Sequence, residues 1–378
     1  MSKKVSHQYS GIGGQAVLEG VMMKNKERYA VAVRKPNGEI EVDIQNYEGI
    51  CPGLKIKNVP FIRGVFNFID SLILGNKTLT YSASFYDEEE EGKKTSKAME
   101  SFLNGLVVFV SIALAIGIFI LLPYFISFYF DNYIQNRSLL LILEGVIRII
   151  IFLLYVSGIG LMKDIRRVYQ YHGAEHKCIN CIEKGRPLTV SDVKRSSRLH
   201  KRCGTSFIFF VMFVSIILFF FIRVDHIMMR VGLRILLMPV VAGISYEIIR
   251  LAGRTDNIFV KILSAPGMLI QRITTKEPDE DMIRVAIASV EAIFDWKQYL
   301  FDTFGYEIDD SWLAEEGQEL LGEDYVEDEE YVEYAEDGNS EEGYYYDEEE
   351  ADAEYAEQGY AEQAYVDNAQ ADKEEIPG

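Results

Sequence analysis

Three of the chain's five histidines and three of its four cysteines fall between residues 172 and 203. Two overlapping patterns in that stretch have the residue types that bind a zinc ion, which accepts imidazole nitrogen and thiolate sulfur in tetrahedral sites. The first is His172-x-x-Glu175-His176, an inverted zincin-type motif. On a helix, histidines four residues apart share a face, and the glutamate between them serves as general base. This motif needs a third ligand, and Glu247, 71 residues beyond His176, supplies one if the helix that carries it ends beside the motif. The second pattern is Cys178-x2-Cys181-x18-His200-x2-Cys203, the spacing of a closed, structural zinc ribbon or knuckle with one cysteine replaced by histidine. A bland reading has the cysteines as buried free thiols and the histidines as surface residues.

Helix geometry separates the two patterns. At about 100° per residue, His172, Glu175, His176 and Glu183 project to one side of a helix and Cys178 and Cys181 to the other. Either the helix breaks near Lys177 and a mixed site forms, or a cysteine-side structural metal stands apart from a histidine-side functional face. A glycine-rich stretch, Gly13 to Lys24, also stands out, with Gln15 and Glu19 as its polar contacts. It lacks the spacing of a phosphate-binding loop, so tight packing is the better reading and neither nucleotide nor nucleic acid is an expected partner.

Stepping outward to the elements that position these residues, four apolar stretches are long enough to cross about 30 Å of hydrocarbon. They are Phe102–Leu122, Leu139–Gly160, Phe207–Ile222 and Leu233–Ala252. The segment between the second and third, 161–206, holds 11 Lys and Arg, which by the positive-inside rule makes it cytoplasmic, together with both termini. Inside the second stretch, Glu144 and Arg148 are four apart and suit a neutralising pair, and Glu247 in the fourth has Arg250 three residues on. With few other intramembrane polar groups and no inverted repeat, a transporter is disfavoured. The cysteines are too few for a disulfide framework, and no cleaved signal peptide is expected at the N-terminus.

The soluble parts follow from pattern and charge. Residues 28–47 alternate apolar and polar around Pro36-Asn37-Gly38, a β-hairpin signature. Pro60 to Leu74 has the spacing of an amphipathic helix that lies on the membrane or packs on the bundle, and Asp87 to Lys97 is a charged linker. Ser264 to Gly267 is expected to form a turn. A further helix should start near Pro278 and bury Met282, Ala286, Ile287, Val290 and Phe294. The segment 307–378 holds 29 Asp and Glu against one Lys, so the remaining 306 residues carry a net charge of +8, suited to anionic lipid headgroups. That tail is too polar to fold alone.

The blocks Gly13–Lys24, Tyr171–Glu183 and His200–Phe207, in this order, resemble the YqhQ-like family of bacterial membrane proteins, a domain of unknown function numbered 1385. The resemblance covers Gly11 to Phe294. It implies a multi-pass bacterial membrane protein and a predicted metal-dependent enzyme, and it supports roles for His172, Glu175, His176, Cys178, Cys181, His200 and Cys203. It supplies no substrate.

The expected protein is therefore mainly α, a polytopic membrane protein with about four transmembrane helices, a small N-terminal unit with a β-hairpin, and a disordered acidic C-terminal tail. Its regions are 1–100 (cytoplasmic, with hairpin and amphipathic helix), 101–160 (two spans), 161–206 (His/Cys-rich loop), 207–252 (two spans), 253–306 (cytoplasmic helix) and 307–378 (tail). The expected function is a metal-dependent hydrolase at the inner-membrane surface, with Glu175 as general base and zinc held by residues among His172, His176, Cys178, Cys181, His200 and Cys203. The rival is a non-catalytic scaffold or regulator of other membrane proteins. Membrane lipids are the expected partners, with other membrane proteins under the rival reading.

Overall fold

A computed structural model describes residues 8–54, 56, 59–86, 97–221, 224, 227–254 and 258–305. Of the compact units Met1–Glu329 and Glu330–Gly378, all of these lie in the first. The acidic tail and nearly all of the charged linker fall outside the described residues.

Alternating apolar and polar residues near the N-terminus produce a four-stranded antiparallel meander, β1 (Ile12–Val17), β2 (Gly20–Asn25), β3 (Arg28–Arg34) and β4 (Ile40–Asn46), in that spatial order. The hairpin read from the sequence is β3–β4, with Arg34 opposite Ile40 across the Pro36-Asn37-Gly38 turn. The glycine-rich stretch supplies β1 and β2, two strands the sequence reading did not assign. Because side chains alternate faces along a strand, the sheet is a middle layer. Ile12, Val21, Met23, Ala30 and Ala32 pack on α5 (Lys163–Glu183) and α11 (Glu280–Glu291), while Val17, Met22, Tyr29, Val31 and Val33 pack on Leu74 of α1 (Ile62–Ala83).

α1 runs nine residues beyond the amphipathic segment read from the sequence, and it is held on the protein through an ion pair between Arg63 and Glu247. α11 starts at an Asp279 cap whose carboxylate accepts from Met282 N at 2.8 Å, and it buries Met282, Ala286 and Val290 as its spacing requires. A short α6 (Val190–Arg195) and a terminal α12 (Trp296–Phe304) complete this layer.

Among the described residues, two helical runs are long and apolar enough to cross a membrane. One, Gly105–Asn132, comprises most of α2 (Lys97–Ile116), a π-helical turn at Gly117–Leu121, α3 (Leu122–Tyr129) and a closing 3-10 turn. The other is α4 (Arg137–Ile159). The third apolar stretch forms α7 (Gly204–Phe220), an apolar helix of 17 residues. The fourth is not one continuous helix, contrary to expectation. It is divided at Leu237 into α8 (Ile227–Leu236) and α9 (Met238–Arg254), because Pro239 has no N–H to offer the carbonyl one turn back. The turn expected at Ser264–Gly267 is likewise absent, for α10 (Ile258–Thr274) runs through Pro266. Burial of Val260, Met268 and Ile270, and contact of Gly267 with Ser206, outweigh the local turn preference.

Candidate metal centre

α5 is unbroken from Lys163 to Glu183, which removes the alternative of a break near Lys177. Lys177 is buried and donates to the carbonyls of Lys194 and Ser196, both at 2.8 Å. Three residues on, Asn180 donates to Ser197 O at 2.7 Å and Leu199 O at 2.9 Å. These two side chains pin the irregular segment 196–199 along the helix. Gln271 of α10 finishes the clamp by accepting from His200 N at 2.8 Å and donating to His200 O at 2.7 Å.

The clamp brings three ligand-type atoms together. His172, His176 and Cys203 each offer one atom, all within 4.8 Å of one another. His172 Nε2 lies 3.1 Å from Cys203 Sγ, and the two imidazole rings are 4.4 Å apart at their centroids. Glu175 Oε2 is 3.9 Å from Nε2 of both histidines.

The opposite ring nitrogens define the protonation. His172 Nδ1 lies 3.0 Å from Thr274 O, and His176 Nδ1 lies 2.6 Å from Arg198 O. A carbonyl only accepts, so each Nδ1 carries the proton, and in the neutral ring each Nε2 keeps its lone pair. Both lone pairs therefore belong to the Cys203 side. This outer hydrogen bonding to backbone carbonyl is the arrangement that orients histidines as zinc ligands. A tetrahedral zinc site with bonds of about 2.0–2.3 Å would separate its ligand atoms by roughly 3.3–3.6 Å; the His172–Cys203 pair, at 3.1 Å, comes near that spacing, and all three atoms lie within 4.8 Å of one another.

Charge in the site is equally specific. Burial pushes the Cys203 thiol up, but the adjacent His172 and His176 imidazoles outweigh it and hold the thiol well below its ordinary value. Cys203 also caps α7, accepting from Thr205 N at 3.4 Å. Burial lowers His172, yet the Cys203 sulfur beside it raises it to about 9. Glu175 is raised by burial, and the Gly14 amide of β1 is its backbone partner. A Cβ at Gly14 would stand 2.8 Å from Glu175 Cγ, so the glycine-rich stretch earns its composition by lying directly on the site.

The remaining residues singled out from the sequence lie elsewhere. Cys178 and Cys181 sit on the other side of α5 in the core formed with the sheet and α11. Burial raises both thiols, Cys181 to about 12, and Cys181 donates to Pro187 O at 3.1 Å. His200 is near, its ring 5.6 Å from that of His176, but its Nε2 faces Glu183 Oε2 at 3.6 Å. Burial lowers His200 to about 4. Glu183 is held at about 2, where His200, Arg202 and the Ser10 amide outweigh its burial. Glu247 is not beside the histidines as their third ligand. It pairs with Arg63 and accepts from Phe61 N at 3.2 Å, which corrects that role, while Arg250 is near enough to add its charge to that of Arg63. Cys203 completes the trio of ligand-type atoms instead.

Several supports had no sequence signal of their own. The carbonyls of Thr274 and Arg198 are invisible in a pattern of side chains, and Lys177 and Gln271 read as ordinary helix residues. Gly173 is the exception. A Cβ there would stand 2.1 Å from Lys276 O, and a glycine inside a histidine motif is a visible mark of close approach by another segment.

A protein-family profile described as "Protein of unknown function (DUF1385)" matches residues 59–296, which contain every residue of this centre except Gly14. The chain belongs to that family. Its similarity extends to the "Uncharacterized protein YqhQ" of Bacillus subtilis (strain 168), 36% identical over 288 residues that cover 73% of this chain and 90% of the relative. No solved structure matches the chain. Family membership thus places the centre within a shared region and leaves its chemistry to be argued from geometry.

Proposed function

We propose that the protein is a multi-pass bacterial inner-membrane protein whose cytoplasmic face carries a zinc-type centre held by His172, His176 and Cys203, with Glu175 as general base of a hydrolytic reaction at the membrane surface. The supporting observation is the pair of Nδ1–H bonds to Thr274 O and Arg198 O, which turn both Nε2 atoms, each able to ligate in its neutral ring, toward Cys203 Sγ. Three protein ligands with a carboxylate beside them is the composition of a catalytic rather than a closed zinc site. Such an ion supplies Lewis acidity to a substrate oxygen or a water. Glu175, pushed up by burial, is suited to take a proton and hand it on.

Four crossings, by α2–α3, α4, α7 and α8–α9, would place the basic 161–206 segment and both termini on the cytoplasmic side. Zinc and membrane lipid are then the expected cofactor and surroundings.

A second reading rests on burial. His176 and Cys203 are 1% and 5% exposed, so the centre also suits a structural clasp between α5 and α7 in a scaffold or regulator of other membrane proteins. Elemental analysis of the purified protein tests the centre. About one zinc per chain is expected in wild type and in Cys178→Ser, and its loss in His176→Ala and Cys203→Ser. Zinc lost with Cys178→Ser but kept with His176→Ala would overturn the site. Glu175→Gln separates the readings, since retained zinc and fold with abolished cellular function favours catalysis, and retained function favours the clasp.

A further inference from the structure

Away from the metal centre, the helical bundle buries a second group of charges. Glu144 and Arg148 of α4 form the pair their spacing predicts, at 2.9 Å, but a third member joins them. Arg234 of α8 grips Glu144 with both terminal nitrogens, at 2.6 and 2.9 Å. The three residues are 4%, 6% and 2% exposed. One guanidinium suffices to neutralise one carboxylate, and Arg234 alone occupies both Glu144 oxygens. Arg148 is therefore surplus charge, held by one bond to Glu144 and one to Ser215 Oγ at 2.9 Å.

A net positive charge deep among apolar helices is not a stable end state without a counter-ion. Two further observations point to one. Nε of Arg148 and Nε of Arg234 are both buried and have no acceptor. The walls around them are aromatic, with Phe219 5.6 Å from the Arg148 guanidinium and 5.1 Å from that of Arg234, and Tyr124 5.6 Å from Arg234. Rings temper a cation but leave its net charge in place. Helical irregularity collects at the same location. Tyr124 lies three residues past the π-helical turn at Gly117–Leu121, and the division between α8 and α9 falls three residues after Arg234. Irregular turns inside apolar helices accompany binding sites. Arg148 lies eleven residues into α4, about 16 Å along its axis, well away from either end.

We propose that Arg148 and Arg234, with Ser215 and Tyr124 beside them, bind a singly charged oxyanion, the phosphate or carboxylate type, either as a free ion or as the headgroup of an anionic lipid.

The test uses the full chain in nanodiscs of phosphatidylcholine, with thermal unfolding as the readout. One arm adds inorganic phosphate and the other replaces part of the phosphatidylcholine with phosphatidylglycerol. The proposal expects a saturable rise in melting temperature in at least one arm, and the arm that responds identifies the source. Arg148→Gln should abolish that rise while the neutral Glu144–Arg234 pair keeps the fold. The idea is overturned if wild type is indifferent to both additions, or if Arg148→Gln responds as wild type does. Should Arg148→Gln fail to fold, native mass spectrometry of the wild type decides, with a retained phosphate or phosphatidylglycerol mass supporting the site and a bare chain refuting it.

Discussion

If the proposed centre holds zinc, the Cys203–His172 pair ties its affinity to pH. Without an ion, His172 holds a proton up to about 9, while Cys203 has already lost its own. Binding at Nε2 must expel the His172 proton, so below pH 9 one proton leaves for each ion bound. Zinc affinity should then climb about tenfold per pH unit between neutrality and that value, and flatten above it. Competition against a chromophoric chelator measures the slope, and a slope of two would mean that Cys203 is still a thiol. At this scale the sequence was legible in residue type and less so in partnership. His172, Glu175 and His176 declared themselves by a spacing that fixes one helical face. The spacing of Cys203 from Cys178 and Cys181 mimics a knuckle, whereas an unbroken α5 turns those two thiols into the opposite core. Nothing local to Glu247 reveals that Arg63 reaches it from a helix 184 residues away.

Among the elements, the contact most sensitive to substitution is the crossing of α5 by the segment after α10. Lys276 N donates to Tyr169 O at 2.9 Å, and the approach leaves no room for a side chain at Gly173. Gly173→Ala should force this segment outward, costing about 1–3 kcal/mol as overpacking does and pulling Thr274 O away from His172. The expected result is a lower melting temperature together with weakened zinc binding, whereas an alanine placed at Gly13, where a Cβ meets nothing within 4 Å, should leave both unchanged. The β3–β4 hairpin, α4, α7 and α11 were legible because each announces itself by period, length or cap. β1 and β2 were not, since their glycines suppress the strand signal while serving close packing. The division between α8 and α9 beside Pro239 and the continuous passage of α10 through Pro266 show the same residue type acting in opposite senses, decided by tertiary packing that a local window does not contain.

For the molecule as a whole, thiol chemistry reports topology. Cys51 is exposed and the other three cysteines are buried. A membrane-impermeant maleimide should label one site per chain, at Cys51, in inverted vesicles and none in right-side-out cells, and labelling from outside would reverse the proposed orientation. Acid stability is a second global property. Glu183 titrates near 2 in the fold against an ordinary 4.5, so its contribution is intact above about 4.5 and is lost as the pH falls towards 2. His200, lowered to about 4, adds a loss that begins near 6.5, because the unfolded chain takes up a proton there that the buried ring refuses. Glu183→Gln should remove the lower of these two limbs and reduce stability at neutral pH by on the order of 3 kcal/mol, as read from thermal unfolding against pH.

The stretch at residues 8–10 is stapled to the last residue of α5. Gln8 N donates to Glu183 O at 3.0 Å, Ser10 Oγ donates to Glu183 Oε1 at 2.8 Å, and Tyr9 stacks 3.9 Å from the Arg202 guanidinium. Arg202 is the immediate neighbour of Cys203, so a bulky fusion joined close to Tyr9 would tug on the very helix and thiolate that face the histidines. Purification handles therefore belong away from Tyr9.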